Sequence, residues 1–400
     1  MATTTYRATA STGSPESREF SLVVGGPLFQ LMRRVRLSDG ALRLVHRRVI
    51  VAVLIAWAPL VALTAAQGGR AGAGHAATPL LNDIGFHVRF LIAVPLLIAA
   101  ERVVHLRLRP LVDQFQVRGL VRPEEAPRFD DALREAARLE NSRLAEVLML
   151  VAVYAVGGLF TFHRYVAVGG FAAASGQGLS PAGSWLVFVS LPLLQFLFLR
   201  WYFRLFIWAR FLWRVSRLDL DLNATHPDKA GGLGFLGDSL NAFAPLAVAH
   251  GVLFAGLIAN RIIYGGAKLT GFELEVFGGA VFLILIFAGP LTLFALQLAR
   301  VKRAGLIVYG ALGQTYARDF RDKWLAGPTS ADEPLLGSGD IQSLADLGNS
   351  YAGAEQMRLA PLSLRGLVYF LLAFLAPIAP LTLTMMSAEN LISRLVGLVF

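Results

Sequence analysis

The sequence predicts an all-α polytopic membrane protein with about seven transmembrane helices and amphipathic cytoplasmic helices, and three observations indicate this class. Of the 400 residues, 55% are hydrophobic and 16% are charged, and the mean hydropathy is +0.57, which is too apolar for an ordinary soluble protein. Apolar runs of roughly 20 residues, the length that crosses a bilayer as a helix, recur along the chain. Basic residues concentrate in alternate connections between those runs, as they do in membrane proteins.

The composition also excludes several classes of site. The chain has no cysteine, which excludes disulfide frameworks, thiolate metal sites and cysteine nucleophiles. The net charge of +10 is carried mainly by arginine, which is expected in cytoplasmic loops and does not indicate nucleic-acid binding. No metal site and no cofactor is predicted, and no zinc-protease, serine-elbow or paired-carboxylate motif predicts a catalytic residue.

Taken in order, the chain begins with a polar, aperiodic segment, 1–20, that is predicted to be a disordered tail. Residues 21–48 combine a short apolar run with following arginines and are predicted to form an interfacial helix. A membrane domain follows at 49–299, and 366–400 is predicted to supply the last span and a C-terminal interfacial piece. The predicted spans lie near 49–66, 85–104, 144–165, 184–205, 240–262, 276–299 and 366–386.

The charges of the connecting segments predict the orientation of these spans. Arginines are frequent before the first span, between the second and third spans, and after the sixth span. The connections predicted to lie outside, after the first, third and fifth spans, carry only Arg70, Arg164, Arg261 and Lys268. Because basic loops remain in the cytoplasm, this alternation predicts a cytoplasmic N-terminus. The arginine-rich composition, with abundant alanine and glycine, indicates a bacterial sequence, so the predicted location is the bacterial inner (plasma) membrane.

Two of the predicted cytoplasmic segments have helical patterns. Residues 123–143 carry acidic residues near their start and apolar residues at helical spacing, so they predict an amphipathic helix. Residues 300–365 predict a helical segment interrupted by a linker at 327–339, where proline and glycine are frequent.

The polar, glycine-rich loop 216–239 is the candidate ligand site. A glycine-rich turn can aim several backbone N–H groups in one direction, a lysine adds a cation, and the next span adds a helix N-terminus, which together suit an anion. The alternative is a plain connecting turn, in which Asp238 or Ser239 caps the next helix and the aspartates are solvated. The predicted ligand-binding residues are His226, Asp228, Lys229, Gly231, Gly232 and Gly234.

Two runs of the sequence resemble known motifs. His226-Pro-Asp-Lys-Ala-Gly-Gly-Leu-Gly-Phe-Leu and Asp340-Ile-Gln-Ser-Leu-Ala-Asp-Leu-Gly-Asn-Ser are similar to motifs of a family of uncharacterised bacterial multi-pass membrane proteins. The resemblance covers these two short segments and the pattern of spans, and it implies no activity. It implies that the two segments belong to one site.

Ionisable residues inside apolar spans are costly, so they indicate function. His250 lies near the middle of span five, Arg89 lies in the outer half of span two, and Glu101 and Glu146 lie near the inner ends of spans two and three. We predict that these four residues line a transport path, with the glutamates at its inner mouth. The alternative is a structural histidine satisfied by a carbonyl group, with end residues that extend to the membrane surface.

Five arginines at the inner end of span four alternate with aromatic residues, as in a belt at the membrane interface. They are predicted to contact anionic lipid headgroups of the bilayer: Arg200, Arg204, Arg210, Arg214 and Arg217.

These features predict an ion or small-solute channel or transporter with a cytoplasmic regulatory or anion-binding loop, and an enzyme is the less favoured class. Two other functions stay open. One is a membrane-embedded enzyme acting on a phosphorylated lipid, with His226, Asp228 and Lys229 at headgroup level. The other is a scaffold without chemistry, and association into a homo-oligomer is compatible with all three.

Overall fold

The computed structural model describes residues 21–23, 25–34, 36, 42, 44–68, 83–158, 179–326 and 338–385. Within these ranges the regular structure is helical, apart from one isolated antiparallel bridge between Val121 and Leu220. The predicted tail 1–20, most of the linker 327–339 and the C-terminal piece beyond residue 385 lie outside the described residues. The helices are α1 (Gly26–Arg34), α2 (Val45–Ala56), α3 (Ala58–Gly68), α4 (Ile84–Val117), α5 (Ala126–Glu140), α6 (Arg143–Ala152), α7 (Pro181–Val215), α8 (Ser239–Ile263), α9 (Glu273–Phe287), α10 (Ala295–Trp324), α11 (Gly339–Glu355) and α12 (Leu364–Leu375).

Several of these helices have the length and composition of membrane spans, which confirms the membrane class. Five described helical stretches are long and apolar enough to cross a bilayer, or six when α12 and the turn Ala379–Met385 are taken as one span bent by 54°. The predicted count of seven is not confirmed. The third predicted span, 144–165, is described only as far as Gly158, where α6 has passed into a π-helical turn.

Proline residues break two of the predicted spans. The predicted span 276–299 is instead two helices, because α9 ends at Phe287 and a 3-10 turn from Gly289 to Phe294 precedes α10. Pro290 in that turn has no N–H, and its ring clashes with the carbonyl group four residues earlier, which disfavours a continuing α-helix. The last predicted span, 366–386, bends after α12, next to Pro377 and Pro380, for the same reason.

The junction between α2 and α3 shows how a broken helix is tolerated at membrane depth. Pro59 cannot donate the helical hydrogen bond to the carbonyl group of Ile55. The Trp185 indole Nε1 donates to that oxygen at 3.0 Å instead, and the Ser190 hydroxyl donates to the Ala56 carbonyl at 2.7 Å. Both side chains come from α7, so a neighbouring span satisfies the backbone groups that the break exposes.

The core forms around α8, which packs against α4 and α12. Phenylalanine side chains from four segments meet at the base of the core: Phe115, Phe129, Phe211 and Phe235. Through them α5 is held against α7, so a helix outside the spans is fixed to the membrane helices. Helices α10 and α11 form a separate antiparallel hairpin, and α10 continues unbroken for 30 residues through the glycines at 305, 310 and 313.

Candidate functional site

A carboxylate is buried among arginines inside the span α4. The Glu101 side chain is 2% exposed. Its Oε1 accepts a hydrogen bond from Arg204 Nη1 at 2.9 Å, and its Oε2 lies 2.5 Å from Arg48 Nη1. The Arg48 contact is an ion pair rather than a directed hydrogen bond. Arg200 Nη1 lies further away, 3.9 Å from Oε1. Three spans therefore contribute to one buried charged group.

Two more glutamates extend this group. Arg200 Nη2 lies 4.0 Å from Glu146 Oε1, on α6. Glu140, the last residue of α5, is 8% exposed, and it interacts electrostatically with both Arg204 and Arg200. We name these six residues the charge cluster: Arg48, Glu101, Glu140, Glu146, Arg200 and Arg204.

The hydrogen bonding of the charge cluster is incomplete. Arg204 Nε and Nη2, Arg48 Nε and Glu140 Oε2 are buried, and none has a hydrogen-bond partner among the described residues. Leaving a buried charged group unsatisfied is expensive, and native proteins rarely do so. Buried donors and acceptors of this kind call for ordered water, an ion or a ligand as partner.

Glu140 is the titratable member of the cluster outside the spans. Burial raises the pKa of its carboxyl group to about 7, against the opposing effects of Arg204 and Arg200, and the charges of Glu101 and Glu146 add to the rise. The carboxyl therefore exchanges its proton near neutral pH. With all three glutamates ionised the six charges cancel, and with Glu140 protonated the cluster carries one net positive charge.

The segment before α2 packs against the same group. The Glu146 Oε2 accepts from the Leu28 N–H at 2.9 Å, and the Asn141 Oδ1 accepts from the Gly26 N–H at 2.8 Å. These two acceptors satisfy N–H groups of the first turn of α1, which have no partner within the helix. Gly25 approaches Glu140 so closely that a Cβ would stand 2.9 Å from its Cγ. The start of α1 and Gly25 before it are thus docked against the charge cluster.

The structure corrects part of the predicted arginine belt. Arg200 and Arg204 are 5% and 2% exposed, so they face the protein interior and not lipid headgroups. Arg210 and Arg214 are more exposed, and both pair with Glu135 of α5. Arg217 lies over the Trp213 ring at 5.3 Å. Lipid contact stays a prediction for the last three arginines.

The two glutamates predicted for an inner mouth are brought together, since Arg200 reaches both, but His250 is not with them. His250 contacts Tyr202 of α7. Tyr202 lies two residues from Arg200 and two from Arg204, and residues two apart point to different sides of a helix, so His250 lies on a different side of α7 from the two arginines. Arg89 precedes Glu101 by twelve residues, roughly 18 Å along α4. The predicted path residues therefore form one cluster and two separate positions.

His250 itself has the bonding of a structural histidine. Its Nδ1 lies 2.7 Å from the Leu246 carbonyl oxygen, which can only accept, so Nδ1 carries the proton. Its Nε2 then accepts from the Tyr202 hydroxyl at 2.8 Å. Both ring nitrogens are satisfied, and a role of His250 or Arg89 in transport stays a prediction.

In the loop 216–239, backbone N–H groups bind a carboxylate of the loop itself, that of Asp228. The Asp228 Oδ1 accepts from the N–H groups of Ala230 at 2.8 Å and Gly232 at 3.1 Å, and its Oδ2 accepts from Gly234 at 2.8 Å. Burial would raise the pKa of this carboxyl, but the three amide donors outweigh it and hold the pKa below the usual range. Of the glycine amides that the sequence predicts for an external anion, those of Gly232 and Gly234 are therefore already bound, and ligand binding by this loop stays a prediction.

The remaining residues of the loop fix it to the segment after α11. Lys229 adopts a φ of 55°, and its Nζ donates to Gln356 Oε1 at 2.6 Å. Arg358 Nη2 donates to the Asp228 carbonyl at 2.8 Å.

Gly231 and Gly232 have φ values of 67° and 100°, which glycine adopts without strain. His226 Nδ1 accepts from the Asp228 N–H at 3.2 Å. Asp238 precedes α8 without a side-chain cap.

The second resemblance segment, 340–350, lies in α11, and the residues of α11 that come close to the loop follow it. Gly353 lies close to Thr225, and Ala354 lies beside Gly305, which faces Ala224. Asp340 is at the opposite end of α11, roughly 20 Å from Gly353 by helical rise. Its carboxylate accepts from Lys323 Nζ at 2.9 Å and Trp324 Nε1 at 3.0 Å, bonds that lower its pKa. The Asp340 end therefore closes the α10–α11 hairpin.

Replacing Asp228 with alanine is expected to destabilise the protein by about 2 kcal/mol, because three N–H groups would lose a charged acceptor. The matched control is Asp221→Ala, since that side chain is 72% exposed and 4.0 Å from Arg122; its change should stay within about 0.5 kcal/mol. Thermal unfolding in detergent measures both. Because the pKa of Asp228 is lower in the folded protein than in the unfolded chain, its carboxylate stabilises the fold at any pH above the ordinary aspartate pKa. This stabilisation is lost as the pH falls through the pKa of the folded state. Equal melting temperatures for the two variants would contradict the assignment.

Comparison of the chain with protein-family models, with curated proteins and with solved structures found no match.

Proposed function

We propose that this chain is a bacterial inner-membrane protein, with its N-terminus in the cytoplasm, that moves an ion or a small charged solute through the charge cluster. The observation that carries the proposal is the incomplete bonding of that cluster. Arg204 presents two buried donors without acceptors, and Glu140 presents a buried acceptor without a donor, among the described residues.

A purely structural role would be expected to satisfy these groups. Buried ion pairs contribute little net stability, because desolvation offsets their attraction, so a six-residue charged group is a poor way to hold spans together. Ionisable groups at membrane depth mark ion and solute pathways. The cluster also joins the spans α2, α4 and α7 to α5 and α6, so a charge that enters it acts on several helices together.

The test is flux across proteoliposomes. Wild-type protein should pass at least one member of a panel containing sodium, potassium, chloride, formate, acetate and phosphate. Arg204→Gln should lower that flux by about tenfold or more, the value of one lost charge-assisted hydrogen bond. Arg204→Lys keeps the positive charge, so it tests whether the charge alone sustains flux. Size-exclusion profiles of each variant show whether a loss of flux comes from a loss of folding.

Arg210→Gln is the matched control, because Arg210 lies on the same helix but is 39% exposed and paired with Glu135. It should retain the wild-type flux. Wild-type vesicles that pass none of the six ions, or an Arg204→Gln variant that folds and conducts normally, would contradict the proposal.

A further inference from the structure

We propose that the charge cluster binds a small monovalent carboxylate, or a planar oxyanion of the same shape, together with one proton: the anion on Arg204, and the proton on Glu140. This inference rests on the proposed function and names the substrate class of the same site.

The anion site follows from the geometry of Arg204. Its Nη1 is bonded to Glu101, and its guanidinium group lies over the Trp201 ring at 4.8 Å, so its orientation is fixed from two sides. The open donors are Nε and Nη2, which form one edge of the guanidinium. Two parallel N–H groups on one edge match the two oxygens of a carboxylate. A spherical ion such as chloride does not match this edge as well.

The proton site follows from the position of Glu140. Its Oε2 is buried without a donor among the described residues, so the ionised carboxylate is unsatisfied there, and protonation removes the buried negative charge and turns the oxygen into a donor. The charged groups that face it are Arg200 and Arg204 from α7, Glu101 from α4 and Glu146 from α6, and the N-terminal segment contributes backbone at Gly25.

Charge balance joins the two sites. Three arginines face three glutamates, so a fourth negative charge in this buried place would be uncompensated while Glu140 is ionised. A proton on Glu140 restores neutrality when the anion enters. Since the pKa of this carboxyl is raised to about 7 by burial, the proton is available in the physiological range. Coupling of two ligands is reciprocal, so the anion must strengthen proton binding as much as the proton strengthens anion binding.

The experiment measures binding without transport. Formate is titrated calorimetrically into purified wild-type protein at pH 6 and pH 8.5, in two buffers of different ionisation enthalpy. Formate should bind about thirtyfold more tightly at pH 6 than at pH 8.5, the ratio of the protonated fractions of a carboxyl with a pKa of about 7, with uptake of close to one proton at the higher pH. Glu140→Gln, which stays neutral, should bind formate equally at both pH values. Arg204→Lys, which lacks the paired edge, should bind it weakly at both.

Infrared difference spectra supply a second readout on the wild type. A carboxylic acid band should disappear with a midpoint near 7 and be missing in Glu140→Gln. Formate affinity that is independent of pH in the wild type, chloride binding as tight as formate, or a band unchanged in Glu140→Gln would each overturn the inference. Vesicles without flux combined with pH-linked formate binding would reject the transport function while supporting this site.

Discussion

Glu101→Leu is expected to destabilise the protein by about 3–5 kcal/mol, the cost of removing one partner from a buried ion pair. Arg48 and Arg204 would both keep their buried charge and lose the carboxylate that they contact at 2.5 and 2.9 Å. Leucine fills much of the same volume, so the loss reports charge rather than a cavity. Thermal unfolding in detergent, followed by circular dichroism, measures the effect.

Two further variants identify the cause. Glu275→Leu makes the same replacement at an exposed position near the start of α9, and its effect should stay within about 0.5 kcal/mol. The double variant Glu101→Leu with Arg204→Leu removes one of the uncompensated charges and should recover part of the lost stability. A Glu101→Leu protein that melts with the wild type would show that the charge cluster is not buried in the folded protein.

The sequence was sufficient to select Glu101 and Glu146, because a carboxylate within or beside an apolar run is conspicuous. It was not sufficient to identify their partners. The four-residue spacing of Arg200 and Arg204 shows that they share a face of α7, but an aromatic-rich helix gives no sign of which face is buried. In the sequence, Arg48 is one of several arginines before the first span and indicates only a cytoplasmic loop, whereas in the structure it pairs with Glu101.

Glu140 could not be selected from the sequence for a different reason. It ends an amphipathic helix rich in charged residues, where glutamate is ordinarily solvated. Its burial depends on contacts with Gly25, 115 residues earlier in the chain, and with α7. Contacts of that range are set by tertiary packing, and no local pattern encodes them.

The loop 216–239 shows the opposite case, in which a local signal was present but was assigned to a ligand. Aspartate commonly accepts a hydrogen bond from the backbone N–H two residues later, and Ala230 stands in that relation to Asp228. The same rule applied to the loop would have placed the carboxylate inside the glycine turn. Likewise Pro290 and Pro377 were visible as helix breakers within predicted spans, while hydropathy alone extended the spans across them.

Gly251→Ala is expected to destabilise the protein by about 3 kcal/mol, at the upper end of the usual cost of overpacking. A Cβ at this position of α8 would stand 2.0 Å from the Phe374 carbonyl oxygen and 3.0 Å from its carbon. Both atoms belong to the backbone of α12, so no side-chain rotation relieves the overlap and the two helices must separate.

Gly278→Ala is the matched control on α9, since a Cβ there meets nothing within 4 Å. Alanine favours helix over glycine by about 1 kcal/mol, so this variant should be as stable as the wild type or slightly more so. The same unfolding assay compares the two variants, and Gly251→Val should be worse than Gly251→Ala because a larger side chain meets the same backbone. If Gly251→Ala instead melts with Gly278→Ala, then α12 does not pack on α8 at this distance.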